Sequence, residues 1–443
     1  MTKPNTSITF RGTPNQALWG ATLGFFVGFA AVSLFGPTAH RFKDVMDLSP
    51  TLVGFLVAIP MLTGSLLRIP FSAWVDTTGG RKPFIVLLAL SIVGMIGLLF
   101  MLRYLYPDHL TANYYPLLLL FGALSGCGIA TFSVGISQIS YWYPQEKQGW
   151  ALGAYAGFGN TAPGIISFVL PLVLVGWGLS GAYLTWLIIL AGGTLLYAYI
   201  GRNAWYFQLR KSGYGPEEAR ESAAEQGQSL FPRASAIEAL TYSARNWKTW
   251  ALVGLYFTTF GGFLALTAWL PTYWQSFMGS SEKLAGFLTA GFSLLASLIR
   301  VPGGSWADRF GGERVLALSM LSLLVGALIL TFTQVFGLAV AGELLVGIGM
   351  GVGNAAVFKL VPKEVPEAVG GAAGWVGGLG AFGGFVVPPV LGHFVASEGP
   401  IGYAHGFSVY IALAIVCLGI TWLLSVRDRT LRPTPVRRSQ VTN

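Results

Sequence analysis

Apolar runs of membrane-crossing length follow one another along this chain, separated by short polar breaks. About twelve such runs lie near 17–36, 50–74, 83–106, 114–142, 149–176, 180–200, 248–275, 283–306, 313–336, 338–361, 370–396 and 404–426. Each can cross a ~30 Å hydrocarbon core as a helix. One polar stretch is much longer than the rest, residues 201–247, and it falls between the sixth and seventh runs. The pattern predicts a six-helix unit over 1–200, a linker over 201–247, and a second six-helix unit with a polar tail over 248–443. Within the linker, Pro216 followed by Glu217 and Glu218 reads as a helix start, a tether lying along the membrane surface.

Composition agrees with that reading. Of 443 residues, 53% are hydrophobic and only 10% charged, against about 25% charged in soluble domains. The expectation is an all-α integral membrane protein with the lipid bilayer as its partner and no separate soluble enzyme domain. The net charge of +9 does not mark a nucleic-acid binder. With a cytoplasmic N-terminus, 21 Lys/Arg fall in cytoplasmic segments, four on the other side (Arg41, Lys43, Arg103, Lys283) and two in the membrane. That asymmetry is the positive-inside bias, and it places both termini in the cytoplasm. The polar N-terminus leads into a helix too long for a signal h-region, so no removable targeting segment is expected. Cys127 and Cys417 sit within apolar runs with no metal or redox spacing.

The two membrane-embedded cations occupy copied segments. From Arg68 the chain reads R-I-P-F-S-A-W-V-D-T-T-G-G and from Arg300 it reads R-V-P-G-G-S-W-A-D-R-F-G-G, with a constant offset of 232. An arginine at mid-bilayer costs about 2.5–3.5 kcal/mol on insertion scales, so a duplicated one implies use. A second echo, at offset 221, relates Gly153, Gly157 and Gly159 to Gly374, Gly378 and Gly380. Glycines at spacing four let helices approach and slide. Internal repeats of this kind recur in secondary transporters. The loops Asp76–Lys82 and Asp308–Arg314 repeat an Asp, two glycines and basic residues, among them Arg81 and Arg314.

Arg68 lies eight residues before Asp76, roughly 12 Å along a helix, which sets it near mid-membrane with Arg300 at matching depth. Glu343 is the only acid within a run, near the outer end of the tenth. The arginines therefore have no obvious carboxylate partner, and a bound anion would relieve both charges. A guanidinium is a flat fork suited to planar oxyanions. Phe29, Asn160, Tyr256 and Phe260 lie in neighbouring runs and would supply aromatic walls, an amide and a hydroxyl.

These segments resemble the nitrate/nitrite porter (NarK-type) family of the major facilitator superfamily. LLRIPFSAWVDTTGGRK, YPQEKQGWALGAYAGFGN, YFTTFGGF, LIRVPGGSWADRFGG and GGLGAFGGFVVPP carry the resemblance across nearly all twelve runs. The resemblance implies the major facilitator fold, with Arg68 and Arg300 clamping nitrate or nitrite and Asn160, Tyr256 and Phe29 completing the pocket. It also implies that the Asp76 and Asp308 loops make breakable cytoplasmic contacts, and that the glycine stretches around Gly157–Asn160 and Gly378–Gly384 are signature positions. Ala381 stands where the first copy has Asn160, so the amide comes from one half alone. GNAAVFKLVP in the tenth run resembles the proton-symporting branch, which makes Glu343 the candidate proton carrier. An exchanger of nitrate for nitrite is the alternative, and a different small-anion carrier a further one. No cofactor or metal is implied, and a monomer in the cytoplasmic membrane is expected.

Overall fold

A computed structural model describes residues 10–232, 236–365 and 369–430, and among them every regular element is helical. Eleven helical stretches are long and apolar enough to cross a membrane: Pro14–Met46, Pro50–Thr78, Arg81–Tyr104, Ala112–Ser140, Ala151–Ile200, Trp247–Ser276, Glu282–Phe310, Gly312–Phe332, Phe336–Val361, Gly371–His405 and Ser408–Val426. The fifth has 50 residues, about 75 Å at the α-helical rise, more than twice what one crossing needs. It reverses at Gly178, whose φ of 66° is open only to a residue without a Cβ. Counting its two arms separately gives twelve spans, numbered here 1 to 12 in chain order.

An even number of crossings puts the linker, the start of span 1 and the end of span 12 on one face, the linker face. Large apolar side chains stand exposed along spans 3, 6, 9 and 12, among them Ile96, Phe100, Ile188, Leu195, Leu318, Phe332, Ile415 and Trp422. Spans 1 and 7 are the most buried. Whole helix faces of exposed Leu, Ile and Phe are stable only against lipid, so spans 3, 6, 9 and 12 form the perimeter and spans 1 and 7 the interior.

Several interior spans are interrupted at one depth. Span 2 divides into Pro50–Leu66 and Arg68–Thr78, and span 8 into Glu282–Leu298 and Arg300–Phe310. The cause is in the repeated sequence: Pro70 and Pro302 lack an N–H for the carbonyls of Leu66 and Leu298, and their rings crowd those carbonyls. Span 1 tightens into a 3₁₀ turn at Ala30–Ser33, span 4 at Cys127–Ala130, and span 7 widens into a π turn at Phe257–Gly261. Broken helices at membrane depth persist where protein or a cavity, not lipid, surrounds them.

The two halves are closed on the face away from the linker. A Cβ on Gly54 would lie 2.5 Å from Pro388 O, one on Gly392 2.4 Å from Pro50 O, one on Gly36 2.4 Å from Ala268 O, and one on Gly286 2.5 Å from Ser167 O. Toward the linker face the contacts between these pairs thin, persisting at Gly378 and Ile69, and Cβ atoms on Gly153, Gly157 and Gly304 would meet nothing within 4 Å. The linker contributes three short helices, Trp205–Lys211, Pro216–Glu225 and Ala236–Ala244. The second begins at Pro216 with Glu217 and Glu218 in its first turn, as the sequence predicts.

Candidate functional site

Each arginine opens the segment that follows its helix break, so both side chains leave the backbone at the depth of the interruptions. They converge on one ring: the guanidinium carbon of Arg68 lies 5.2 Å from the centroid of Phe260, and that of Arg300 5.4 Å. Phe260 itself sits within the π turn of span 7. It stacks on Tyr256 at 4.9 Å, on Phe132 at 6.0 Å and on Phe29 at 6.4 Å. Five of the six expected substrate residues are thereby linked by direct ring contacts. Cation–π contacts of this kind contribute about 0.5–2 kcal/mol each, which goes some way to holding two like charges near one another.

The two guanidiniums are held differently. Arg68 is 1% exposed; its Nε donates to Gly64 O at 3.0 Å, and its Nη1 donates across the halves to Gly377 O at 3.0 Å. A second ring, Phe132, lies 4.9 Å from its guanidinium carbon. Arg68 Nη2 and Arg300 Nη1 are buried with no protein partner, and so are Ser65 Oγ, Tyr256 Oη and both side-chain atoms of Asn160. Among the described residues, no carboxylate forms an ion pair with either arginine. A buried donor without an acceptor costs about 1–3 kcal/mol. Arg68 Nη2, Arg300 Nη1 and Tyr256 Oη are unmatched donors beside Phe260 that a small anion accepting on several sides would satisfy, and Ser65 and Asn160 leave further unmatched groups in the flanking helices.

Asn160 ends the first half of span 5, and its carbonyl accepts from Ser297 Oγ at 2.9 Å, three residues from Arg300. The structure gives its side chain no contact with the other site residues. Three contributors are not anticipated by the sequence reading: Phe132, Ser65 and the Gly377 carbonyl. Ser65 had a usable signal, since it repeats as Ser297 at the same offset of 232 as the arginines. Phe132 had none, because a phenylalanine in an apolar run looks the same whether it faces lipid or substrate.

The glycines divide by surroundings, not as one sliding face. A Cβ on Gly159 would lie 1.9 Å from the Phe25 ring, and one on Gly380 2.7 Å from the Tyr256 ring. Both rings belong to the glycine's own half, so these two positions seat aromatic side chains. Gly378 faces Ile69 of the other half at 2.8 Å, and Gly384 lies between Leu264 and Met61. Gly157 meets open space. The repeated loops also reach inward: Asp76 Oδ1 accepts from Tyr141 Oη at 2.7 Å, Asp308 pairs with Lys359, and Arg81 Nη2 donates to Ala198 O at 2.6 Å. These contacts lie within a half. Arg314 is exposed. Glu343 is 3% exposed beside Trp274, with Oε1 lacking a protein partner. Among the described residues, no group of three His, Cys, Asp or Glu could hold a metal.

Comparison with known proteins bears on the same features. The pattern of the Major Facilitator Superfamily matches residues 21–286 and 278–442. A protein of Thermus thermophilus named "Probable nitrate/nitrite antiporter NarK1" is 32% identical over 92% of this chain and 90% of its own length. The "Nitrite extrusion protein" of Bacillus subtilis is 29% identical over 93% of this chain and 95% of its own. "Probable nitrate transporter NarT" of Staphylococcus epidermidis is 28% identical, with coverages of 93% and 96%. Among solved structures, a D-xylose–proton symporter superposes with a TM-score of 0.69 at 15% identity, covering 92% of this chain and 97% of that one. A bacterial homologue of the lysosomal transporter Spinster gives 0.64 at 17% identity, with coverages of 96% and 100%. At these identities the structural likeness establishes the fold alone.

Proposed function

The chain belongs to the Major Facilitator Superfamily, and on that premise we propose that it carries nitrate and nitrite through the membrane by alternating access. The observation that carries the reading is the pair of arginines over Phe260, with unmatched donors and, among the described residues, no carboxylate partner. A planar monovalent oxyanion fits between two flat forks and aromatic walls. Phosphate and dicarboxylates present more acceptor oxygens than the donors of one such slot match. The protein is a transporter and not an enzyme. Vesicles loaded with nitrate should show saturable counterflow of external nitrate and nitrite and none of phosphate. Equal flux of all three, or flux that never saturates, would reject a selective carrier.

The protein works as a monomer in the cytoplasmic membrane with the linker face inward, so this conformation opens to the cytoplasm. The six-helix units 1–200 and 248–443 move about the central site, with Asp76, Arg81, Asp308 and Arg314 at their gating edge. Single cysteines within 201–247 should react only with reagent that reaches the cytoplasm, and one near Asp108 from outside; the reverse pattern inverts the orientation.

Net uptake against an inside-negative potential costs about 2.3 kcal/mol per 100 mV for a monovalent anion, which a co-transported proton cancels. Glu343 is the carboxylate placed to carry it, held in the core of the second half. Nitrate/nitrite exchange is the second reading, favoured by the name of the Thermus relative and by the absence, among the described residues, of any carboxylate paired with the two arginines. Glu343→Gln separates them: proton-coupled uptake loses accumulation driven by a pH gradient and keeps counterflow. If the unmodified protein shows counterflow but no pH-driven accumulation, it is an exchanger.

A further inference from the structure

The side of span 8 that leads to Arg300 is polar along its length. Glu282, Gly286, Thr289, Ser293, Ser297 and Arg300 recur at spacings of three and four, which puts them on one helix face. The stripe runs from the outer mouth to the substrate site, about 27 Å at the α-helical rise. Thr289 and Ser293 are fully buried, and Thr289 Oγ1 and Ser293 Oγ have no protein partner. Span 5 of the other half covers them: a Cβ on Gly164 would lie 3.2 Å from Ser293 Cβ, and one on Gly286 2.5 Å from Ser167 O. On the same side Ser33 Oγ meets Ser167 Oγ at 2.9 Å. Unmatched hydroxyls weaken a helix contact that alanine or valine would strengthen. They make sense at a contact that parts and is wetted in the other state of the carrier.

The outer end of the stripe is latched across the halves. Arg41 Nη2 donates to both carboxylate oxygens of Glu282, at 2.9 and 3.2 Å, and His40 Nε2 lies 3.0 Å from Oε1. His40 and Arg41 belong to the helix Ala39–Met46 at the outer end of span 1, and Glu282 opens span 8. The carboxylate is itself a planar oxyanion, received by the same type of fork that the central site presents. All three side chains keep partial access to solvent.

We propose that Arg41 and His40 form an outer receiving site for the transported planar anion, occupied by the Glu282 carboxylate when the outer face is closed. The polar face of span 8 is the route from that site to Arg300. An external anion competes with Glu282 for Arg41 and His40, frees span 8 from span 1, and enters along Thr289, Ser293 and Ser297 as the seam with span 5 opens. The proposal rests on the anion-carrier reading of the arginine pair and adds to it a second site and a path.

Two measurements on the full-length protein in vesicles test it. A cysteine at position 293, introduced by Ser293→Cys, should react with a membrane-impermeant thiol reagent from outside. That reaction should quicken at least ~5-fold when Glu282→Gln removes the competing carboxylate and shifts the population toward the outward-open state. Arg41→Gln should raise KM for external nitrate several-fold and leave KM from the cytoplasmic side unchanged. Labelling of Ser293→Cys only from the cytoplasmic side, or at a rate indifferent to Glu282→Gln, overturns the route. An unchanged external KM in Arg41→Gln, or equal rises on both sides, overturns the receiving site. Nitrate counterflow by the unmodified protein is measured in the same vesicles. Its absence sinks the carrier reading, whereas intact counterflow beside either negative result sinks the outer site alone.

Discussion

Arg68 and Arg300 occupy equivalent places in the repeat, yet one is anchored and the other is not. Arg68 is fixed by two carbonyls, one of them in the opposite half, and lies against two rings. Arg300 is partly exposed, lies against one ring, and has a buried Nη1 without a protein partner. A duplicated sequence sets equal depth and equal chemistry. The neighbours that each half lends to the other then make one arm a fixed wall and the other a free receiver. Because the Gly377 carbonyl lies in span 11, the position of Arg68 depends on how the halves sit.

The largest expected effect tests whether both arms bind. Arg68→Lys and Arg300→Lys should each lower nitrate uptake at least ~30-fold, since losing one member of a desolvated charged contact costs about 2–5 kcal/mol. A lysine keeps the charge but offers no planar fork. Nitrate binding and cysteine accessibility on the linker face then separate the arms. Arg300→Lys should lose binding alone, whereas Arg68→Lys should also shift accessibility, because its tie to Gly377 is gone. Near-normal uptake in both would make the arginines structural and move the site elsewhere.

The shared ring comes next. Among the described residues Phe260 is the ring over which both guanidiniums lie, so Phe260→Ala should raise the nitrate KM about tenfold or more, given ~0.5–2 kcal/mol per cation–π contact. Phe132→Ala loses only the contact to Arg68 and should fall short of that. If Phe132→Ala is the worse of the two, the anchored arm carries the binding and the comparison is reversed.

The parts of this protein that the sequence made legible are those carried by period and repetition. Run lengths yielded twelve spans, and Gly178 is where the fifth and sixth turn back on each other without a polar break. The offset of 232 set both arginines at one depth, and the prolines two residues beyond them explain the breaks that let their side chains turn inward. What stayed hidden depends on tertiary neighbours. Phe132 and the exposed Phe100 are the same residue type in similar apolar runs, and only packing tells them apart. The glycine repeat suggested sliding surfaces, whereas Gly159 and Gly380 lie against Phe25 and Tyr256, rings 231 positions apart in the chain. That pairing separates the halves again, since one seated ring carries a hydroxyl and the other does not.

The seats yield a smaller contrast. Gly159→Ala forces a methyl to within 1.9 Å of the Phe25 ring, an overpacking that typically costs about 1–3 kcal/mol. It should lower the melting temperature with little change in nitrate KM. Gly380→Ala displaces Tyr256, whose hydroxyl is among the unmatched donors; it should raise KM several-fold with a milder thermal effect. The opposite assignment would mean that the Tyr256 hydroxyl does not face the anion.

The smallest expected difference lies between the two serines that accompany the arginines. Ser297 Oγ donates to the Asn160 carbonyl, so Ser297→Ala gives up a hydrogen bond worth about 0.5–1.5 kcal/mol and should show it as lost thermal stability. Ser65 Oγ is buried with no protein partner, and Ser65→Ala removes an unmatched group. In the absence of nitrate it should leave stability unchanged or slightly raised. If the hydroxyl faces the anion, the same variant should gain less stability than the unmodified protein when nitrate is added, because a ligand stabilises in proportion to its affinity for the folded state. A nitrate-induced shift identical to that of the unmodified protein would remove Ser65 from the site. The unmatched donors at the two arginines would then be the guanidiniums themselves and the Tyr256 hydroxyl of the second half.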